Sequence, residues 1–270
     1  MRPLWYEYPE EEGSFGMQES FMVGDAILVH PVMQEHATAV DALFPGNDLW
    51  YPLPLFAGEG EGKGEREGKG EGVGVGVGGK DGWGGLVVDA SLRGGKSQTL
   101  AVTMDAIPVH VRGGHILARK MRPRRNTHAM RSDPHTLVVA LNRTGEAVGQ
   151  LYLDDGASYA YVEGRFVLAH FAFSDNTLTC RVKHAAALPE VGTEVERIVL
   201  VGAGGKGKGM GWTTATVAGD GASMEGVAMA VEPYGGGGGG AGYDAVVLKL
   251  PGVSVGEDFT IRFSADESSH

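Results

Sequence analysis

The sequence predicts a mainly β protein built from antiparallel β-sandwiches. Short apolar runs recur along the chain, and Gly, Pro and Asn residues separate them at the spacing that is typical of sandwich strands and turns. Almost no stretch carries apolar residues at the 3.6-residue period of an amphipathic helix. Together these observations favour strands throughout and leave little room for helical layers.

The first elements are predicted as buried strands. Residues 4–8 form an aromatic-rich run that begins abruptly, and residues 26–32 form a continuous apolar run. Residues 41–51 predict a strand, a turn and a second strand, because Pro45 presets φ while Gly46 and Asn47 tolerate positive φ. Further strands are predicted at residues 99–112, 136–141, 149–153, 166–173, 177–182, 196–201, 227–231, 245–250 and 258–263.

Two low-complexity stretches interrupt this pattern. Residues 58–85 consist largely of Gly with Glu, Lys and Val, so they lack the side chains for a core and predict a flexible insertion. Residues 235–240 are a pure glycine run. A phosphate-binding loop would continue into a helix N-terminus and usually a lysine, whereas here a strand comes next, so a flexible loop is favoured.

Charge and cysteine content exclude several classes of protein. The net charge of -11 argues against binding to nucleic acid or to anionic membranes, since phosphate binding needs a cationic face. No apolar run approaches the roughly 18 residues of a membrane span, and no secretory signal is visible. Cys180 is the one cysteine, so no internal disulfide can form, and its position in an apolar strand favours a packed residue over a catalytic thiol.

Acidic residues and histidines do not form a convincing catalytic set. Asp154 and Asp155 follow a strand and precede Gly156, and adjacent strand residues point to opposite faces. A retaining glycosidase needs two carboxylates about 5 Å apart, so these two are predicted to bond backbone amides in a turn. Residues 10–12, three glutamates, predict a solvated loop, and His110 is expected to face outward or to be a satisfied structural histidine. No metal-ligand spacing is present, and no cofactor is expected.

One basic cluster and one sequon complete the candidates. Residues 119–125 could form a nucleic-acid or localisation patch, but the acidic balance of the chain favours a connector that bonds acidic neighbours or caps carbonyl groups. Asn142, followed by Arg143 and Thr144, is a candidate for N-glycosylation. From the residues alone, the function remains open.

Several motifs nevertheless resemble the C-terminal portion of glycoside hydrolase family 31, the α-glucosidase family. The resemblance covers most of the chain outside its glycine-rich parts. It rests on the segments MRPLWYEYP at 1–9, QESFMVGD at 18–25, FPG at 44–46 with LWY at 49–51, DAIPVHVRGG at 105–114 and LYLDDG at 151–156. The basic connector RKMRPRR at 119–125 and the run DPHTLVVALN at 133–142 resemble the branch of the family that trims glucose from N-linked glycans in the endoplasmic reticulum.

The resemblance implies a fold, and it also implies that the catalytic residues of the family lie outside this sequence. The expected architecture is the end of a (β/α)8 catalytic barrel at residues 1–25, then two antiparallel β-sandwich domains. The proximal sandwich would span residues 26–120, with the insertion at 58–85, and the distal one residues 121–270. The family's catalytic aspartates lie in stretches that this sequence does not contain, so the resemblance assigns no catalytic or substrate-binding residue here.

The resemblance further implies the C-terminal fragment of a longer enzyme. Met1 would be an internal methionine, and the missing catalytic barrel would be the partner of residues 4–8, whose aromatic side chains, with Phe21, would otherwise form an exposed patch. The parent would be a retaining α-glucosidase of the endoplasmic reticulum lumen acting on glucosylated N-glycans, with a β subunit as a further candidate partner. The chain alone is expected to be inactive. The alternative is a free-standing carbohydrate-binding or interaction module.

Overall fold

The computed structural model describes residues 1–53, 96–102, 107–188, 190–202, 212–219, 228–230, 232–233 and 245–265. The predicted insertion at 58–85 and the glycine run at 235–240 lie outside these residues. The mainly β prediction is confirmed, because strands dominate the described part of the chain. The chain divides into two compact units, Met1–Gly113 (unit 1) and Gly114–His270 (unit 2).

The described part of unit 1 contains two β-sheets and two single-turn helices. Its elements are β1 Arg2–Pro3, α1 Leu4–Glu7, a 3-10 helix at Glu12–Ser14, β2 Phe21–Val23, β3 Ile27–Val29, β4 Ala39–Phe44, β5 Trp50–Pro52, β6 Lys96–Ala101 and β7 Val109–Arg112. A five-stranded antiparallel sheet has the order β1-β2-β3-β7-β5, and β4 pairs with β6 in a separate antiparallel ladder.

The core of unit 1 joins both sheets. It consists of Leu4, Tyr8, Met22, Leu28, Ala42, Leu43, Phe44, Trp50 and Leu100, all of them buried. Trp50 and Phe44 come from different sheets, and their ring centroids lie 6.3 Å apart. Burying aromatic and aliphatic side chains in this way stabilises a fold by roughly 1.5–3 kcal/mol per side chain, so the two sheets depend on one another.

The predicted strand at residues 4–8 is wrong, since Leu4–Glu7 forms one helical turn. Residues four apart lie on the same face of a helix, and this places Leu4 and Tyr8 together in the core, while Trp5 and Tyr6 are exposed. A strand would have placed alternate residues inside. Tyr8 is therefore not part of an exposed patch, whereas Trp5 and Tyr6 are.

The strand, turn and strand predicted at residues 41–51 are present, but the two strands do not form a hairpin. The turn at Pro45–Gly46–Asn47–Asp48 has Gly46 at φ 72°. On either side of it, β4 pairs with β6 and β5 pairs with β7. The turn thus carries the chain from the smaller sheet to the larger one.

The described strands of unit 2 form a single sheet that nearly closes on itself. They are β8 His115–Arg119, β9 His135–Ala140, β10 Ala147–Leu153, β11 Val167–Ser174, β12 Thr177–Ala185, β13 Val195–Val201, β14 Trp212–Gly219, β15 Ala228–Ala230, β16 Glu232–Pro233, β17 Ala245–Lys249 and β18 Phe259–Ala265. Their order is β15-β14-β18-β12-β11-β10-β8-β9-β13-β17-β16, and the pairs β8–β10 and β9–β13 are parallel. The described 3-10 helices are His128–Met130 and Ala160–Glu163.

Alternation along the strands builds the core of unit 2. On β11 every second residue from Val167 to Phe173 is buried, as the two-residue period of a strand requires. Phe173, Trp212 and Phe263 meet there, with ring centroids 5.4–6.1 Å apart. Trp212 is therefore a core residue, and the outward positions of β10, β11 and β12 form a face on the other side of the sheet.

The compact units divide at different places from the predicted domains. Residues 1–25 supply β1, β2 and three core side chains to unit 1, so they form one body with the rest of that unit. His115–Arg119 pairs with β9 along its whole length and therefore belongs to unit 2, although the sequence placed the boundary near residue 120.

Candidate functional site

A cavity of about 410 Å³ opens beside the first helical turn of unit 1. Its lining residues are Glu7, Tyr8, Pro9, Glu10, Glu11 and Gly46. Two of its three carboxylates already have partners within unit 1, since Glu7 pairs with Arg2 and Glu11 Oε2 accepts a hydrogen bond of 2.7 Å from the Gly46 backbone N–H. Of the glutamates predicted to be a solvated loop, Glu10 and Glu12 are exposed and Glu11 binds this turn.

Asp48 holds this region together. The Tyr8 hydroxyl donates a hydrogen bond of 2.8 Å to Asp48 Oδ2, and the Arg112 guanidinium lies 2.9 Å from the same oxygen. The Arg112 Cζ atom stands 5.0 Å from the centre of the Tyr8 ring. A side chain at Gly46 would collide with that ring, so glycine is required there both for its positive φ and for the close approach of Tyr8.

The chemistry of this cluster is structural. Burial raises the pKa of Tyr8, and the carboxylates of Asp48 and Glu7 raise it further, although Arg112 acts in the opposite direction. A tyrosine in that state keeps its proton at neutral pH and cannot serve as a general base. The cluster therefore fixes the first turn against the Pro45–Asp48 turn and β7.

Asp154 and Asp155 do what the sequence predicted. Asp154 Oδ1 accepts a hydrogen bond of 2.8 Å from the Gly156 N–H, and Asp155 Oδ1 accepts bonds from the N–H groups of Ala157 and Ser158 at 3.0 and 2.9 Å. The hydrogen bonds from Ser158 and Ala157 lower the pKa of Asp155 to about 2. Turn formation is confirmed for both carboxylates.

His110 lies in the core rather than on the surface, contrary to one of the two alternatives. It packs against His30 and Phe44, with ring centroids 5.9 and 4.8 Å away. His30 Nδ1 lies 2.8 Å from the Ser20 hydroxyl, whereas the buried His30 Nε2 and His110 Nδ1 have no hydrogen-bond partner among the described residues. His110 is therefore a structural histidine, as the other alternative stated, but its Nδ1 is not satisfied there. Burial lowers the pKa of His30 to about 4 and that of His110 to about 3.

The basic cluster at residues 119–125 is a connector, as the sequence predicted. Arg124 binds both carboxylate oxygens of Asp133, at 2.7–3.2 Å, and Arg122 lies 2.7 Å from Glu196 Oε2. Lys120 Nζ donates to the Arg131 carbonyl oxygen. The hydrogen bond from Arg124 is the main cause of the lowered pKa of Asp133.

The remaining sequence candidates occupy one core and one turn position. Cys180 is buried on β12, where burial raises the pKa of its thiol to about 12, so a packed strand residue is confirmed. Asn142 sits in a turn between β9 and β10. Its Oδ1 accepts hydrogen bonds from the Thr144 N–H, the Thr144 hydroxyl and the Glu146 N–H, at 2.8–2.9 Å.

Sequence reasoning missed an aromatic surface on unit 2. Tyr152, Phe166 and His184 form a row (the aromatic row), with centroid distances of 5.4 Å and 4.1 Å and interplanar angles of 28° and 25°. The row members come from three separate regions of the chain, so no single strand showed a platform. The available signal was the outward, two-residue alternation that places Tyr152 on the solvent face of β10.

No three His, Cys, Asp or Glu side chains among the described residues come together as a metal site. Within the same residues, no helix is long and apolar enough to cross a membrane. Of the carboxylates that the sequence singled out, Asp154, Asp155 and Glu11 accept hydrogen bonds from backbone N–H groups, and Glu10 and Glu12 are exposed.

Comparison with known proteins gives consistent matches. Residues 1–117 match the model of the glycosyl hydrolase family 31 C-terminal domain. Neutral alpha-glucosidase AB from Mus musculus is 31% identical over 270 residues, which cover 97% of this chain and 23% of that protein. The crystal structure of a glucosidase II alpha subunit superposes with a TM-score of 0.73 at 30% identity, covering 97% of this chain and 25% of that one.

A further solved structure is the endoplasmic-reticulum glucosidase II heterodimeric complex of a catalytic subunit and the binding domain of a regulatory subunit. It has a TM-score of 0.72 and 29% identity, and it covers 97% of this chain and 25% of the matched chain. The chain therefore spans about a quarter of the length of the relatives that it matches.

Replacing Tyr8 by phenylalanine tests the Asp48 cluster. The substitution keeps the packed ring and removes the hydroxyl that donates to a carboxylate, so unit 1 should lose about 1.5–3 kcal/mol of unfolding free energy. Urea unfolding measures this loss. Tyr6→Phe is the matched control, because Tyr6 is 62% exposed, and it should change stability by less than about 0.5 kcal/mol. Equal effects of the two substitutions would contradict the role of the cluster.

The buried pair His30 and His110 predicts a loss of stability in acid. Both imidazoles are neutral in the folded protein. Their contribution to the free energy of unfolding is therefore fully present above the ordinary histidine pKa of 6.5. Below 6.5 the unfolded chain takes up protons that the folded chain does not, and stability falls by about 1.4 kcal/mol per pH unit for each histidine, down to a pH of about 4. Amide hydrogen exchange in β3 and β7 between pH 4.5 and 8 measures this slope.

Two variants distinguish the contribution of the buried pair to the pH dependence of stability from that of an exposed histidine. His110→Phe removes one titrating group and should reduce the slope by about half, whatever it does to the absolute stability. His36→Asn should leave the slope unchanged, because His36 is exposed and asparagine tolerates its φ of 59°. The same slope in all three proteins would show that the buried pair does not titrate on unfolding.

Proposed function

The chain belongs to glycosyl hydrolase family 31, and we propose on that basis that it supplies the accessory C-terminal β-domains of a retaining α-glucosidase. The family match over residues 1–117 and the similarity of nearly the whole chain to α-glucosidases support this proposal. The two units would brace a catalytic barrel and would not themselves carry out the reaction.

The observation that carries the proposal is how the acidic side chains of both units are used. Retaining hydrolysis of a glucosidic bond needs a nucleophile and an acid–base group about 5 Å apart across the sugar. Asp48, Asp133 and Asp258 are held by arginines, and Asp154 and Asp155 are held by backbone amides. Each of these five carboxylates is already bound by an arginine or by a backbone amide, which favours catalytic carboxylates outside this set.

An exposed apolar face on unit 1 supports docking to a barrel. Trp5 and Tyr6 project from the first helical turn with ring centroids 6.4 Å apart, and both are exposed. Exposed apolar groups gathered in one place are typical of interaction surfaces. The same short segment buries Leu4 and Tyr8 inside unit 1, so it can fix a neighbouring domain to this one.

The finer proposal is an enzyme of the glucosidase II kind. Neutral alpha-glucosidase AB and the glucosidase II alpha subunit each match 97% of this chain at 30–31% identity, which supports glucosylated N-glycans as substrate and the endoplasmic reticulum lumen as location. The heterodimeric relative with its regulatory subunit supports a regulatory β subunit as partner. No metal or other cofactor is needed for two-carboxylate hydrolysis.

The purified chain and the native protein should differ in activity. The 270-residue chain should not hydrolyse 4-nitrophenyl α-glucoside, because it lacks the barrel carboxylates. An antibody raised against residues 119–131 should precipitate, from a native extract, a protein several times larger than 28.3 kDa that does hydrolyse it. The free peptide is the competitor that should abolish precipitation.

Two outcomes would contradict the proposed function. Activity of the rigorously purified chain would place the catalytic groups within it. A precipitated protein of 28.3 kDa without activity would instead favour the alternative of a free-standing carbohydrate-binding module.

We also propose Asn142 as an N-glycosylation site, since the Asn-Arg-Thr sequon lies in a turn whose Arg143 and Thr144 are exposed. Treatment of the native protein with peptide N-glycosidase should convert Asn142 to aspartate, which mass spectrometry detects. Thr144→Ala should abolish the modification, whereas Thr144→Ser should retain it, because serine keeps the sequon and the hydroxyl that bonds Asn142 Oδ1. An unmodified Asn142 in the secreted or lumenal protein would overturn this assignment.

A further inference from the structure

The outer face of unit 2 carries five aromatic or imidazole rings that the core does not use. The aromatic row runs across β10, the start of β11 and β12. Tyr159 and Tyr161 (the tyrosine pair) lie beside and within the 3-10 helix that connects β10 to β11, with ring centroids 6.1 Å apart. Tyr159 is 80% exposed and Tyr152 is 48% exposed. These five rings therefore lie on an exposed surface to which several separate elements contribute.

The rings of the row are held in fixed orientations. β11 lies between β10 and β12 in the sheet, so Phe166 stands between Tyr152 and His184 and stacks on both. His184 Nε2 lies 2.7 Å from the Gly164 carbonyl oxygen. A carbonyl oxygen can only accept, so Nε2 carries the proton and Nδ1 is left as the acceptor of the neutral ring.

The loop that carries the tyrosine pair is fixed as well. Asp155 accepts hydrogen bonds from Ala157 and Ser158, and the Ser158 hydroxyl in turn accepts one of 3.1 Å from the Ala160 N–H. The Arg165 N–H donates to the Ala160 carbonyl oxygen at 3.1 Å, which closes the segment. These bonds order the backbone before any ligand arrives, so little conformational entropy is lost on binding.

The row and the pair belong to one surface. Gly164 connects them, since its N–H donates to the Tyr161 carbonyl oxygen at 3.0 Å and its carbonyl oxygen lies 2.7 Å from His184 Nε2. Burial, followed by the Asp154 carboxylate, raises the pKa of Tyr152. The surface presents the exposed rings of Tyr152, Tyr159 and Tyr161 together with their phenolic hydroxyls, an imidazole nitrogen and the Asp154 carboxylate. It combines apolar area with several neutral hydrogen-bonding groups, and it lies on a strongly acidic chain.

We propose that this face of unit 2, centred on Tyr152, Tyr159 and Tyr161, is a binding surface for a neutral oligosaccharide. A pyranose ring has an apolar C–H face, which packs on aromatic rings, and a rim of hydroxyls, which hydrogen-bond to groups at the edges of those rings. The ordered loop supplies the preorganisation that a weakly binding, hydroxyl-rich ligand requires.

Other occupants fit the surface less well. An anionic glycan or nucleic acid would be repelled by the carboxylates of Asp154 and Asp155 in the loop after β10. A protein partner of ordinary size would need about 800 Å² of this surface, and the neighbouring outward positions Gln150, His170 and Arg181 are polar. Recognition of a neutral sugar does not depend on the proposed function, because it involves no catalytic barrel.

The experiment is an equilibrium titration of the purified 270-residue chain, followed by protein NMR or calorimetry. Maltotetraose and cellotetraose are the neutral probes, and a heparin-derived tetrasaccharide is the anionic one. Both neutral probes should bind at millimolar or lower concentration. Tyr152→Ala and Tyr159→Ala should each weaken binding at least tenfold. Tyr6→Ala is the matched control, an exposed tyrosine on unit 1, and it should leave binding unchanged.

A more conservative variant distinguishes a loss of binding from a loss of folding. Tyr159→Phe keeps the ring of a residue that is 80% exposed and removes only its hydroxyl, so it should weaken binding less than Tyr159→Ala. Absence of binding to either neutral probe, equal affinity in all variants, or tighter binding of the sulfated probe would each overturn the proposal. None of these results depends on whether the native protein hydrolyses a glucoside, so failure here is distinct from failure of the proposed function.

Discussion

The shared carboxylate of Asp48 is the interaction on which unit 1 depends. Its Oδ2 atom accepts from the Tyr8 hydroxyl and pairs with the Arg112 guanidinium, so one oxygen connects the first helical turn, the Pro45–Asp48 turn and the end of β7. The cluster also explains the local sequence, since Gly46 leaves the room that the Tyr8 ring occupies. Together with the burial of Leu4 and Tyr8, it fixes the first turn from which the exposed Trp5 and Tyr6 project.

The sequence predicted the class of fold and the use of several polar residues. Local rules were sufficient where local chemistry decides the outcome, as in the Asp154–Gly156 turn and the bidentate Arg124–Asp133 pair. They failed where pairing between distant strands decides it. A run such as residues 4–8 is apolar in either conformation, and only the packing of Leu4 and Tyr8 on one core selects the helical turn. The same limit explains why His110 could not be placed from its strand alone.

The aromatic face of unit 2 could not be predicted from the sequence for the same reason. Tyr152, Phe166 and His184 become neighbours only because β10, β11 and β12 lie side by side. Each residue by itself is an ordinary outward position of a strand or its flank. A surface assembled across strands has no sequence spacing, so it becomes visible only when strand order and register are known. Accessory domains of catalytic proteins can carry recognition surfaces of this kind away from the reaction.

The strand order of unit 2 also constrains how the chain folds. β12 pairs with β18 and β9 pairs in parallel with β13, so the sheet is held together by contacts between segments far apart in the sequence. Closing such long loops costs entropy before any contact compensates for it, and folding rates fall as contacts become less local. Until β18 arrives, Phe173 and Leu178 lack the partners that bury them. Unit 2 therefore acquires its core late in folding, and the interval before closure is when the chain most needs protection from aggregation.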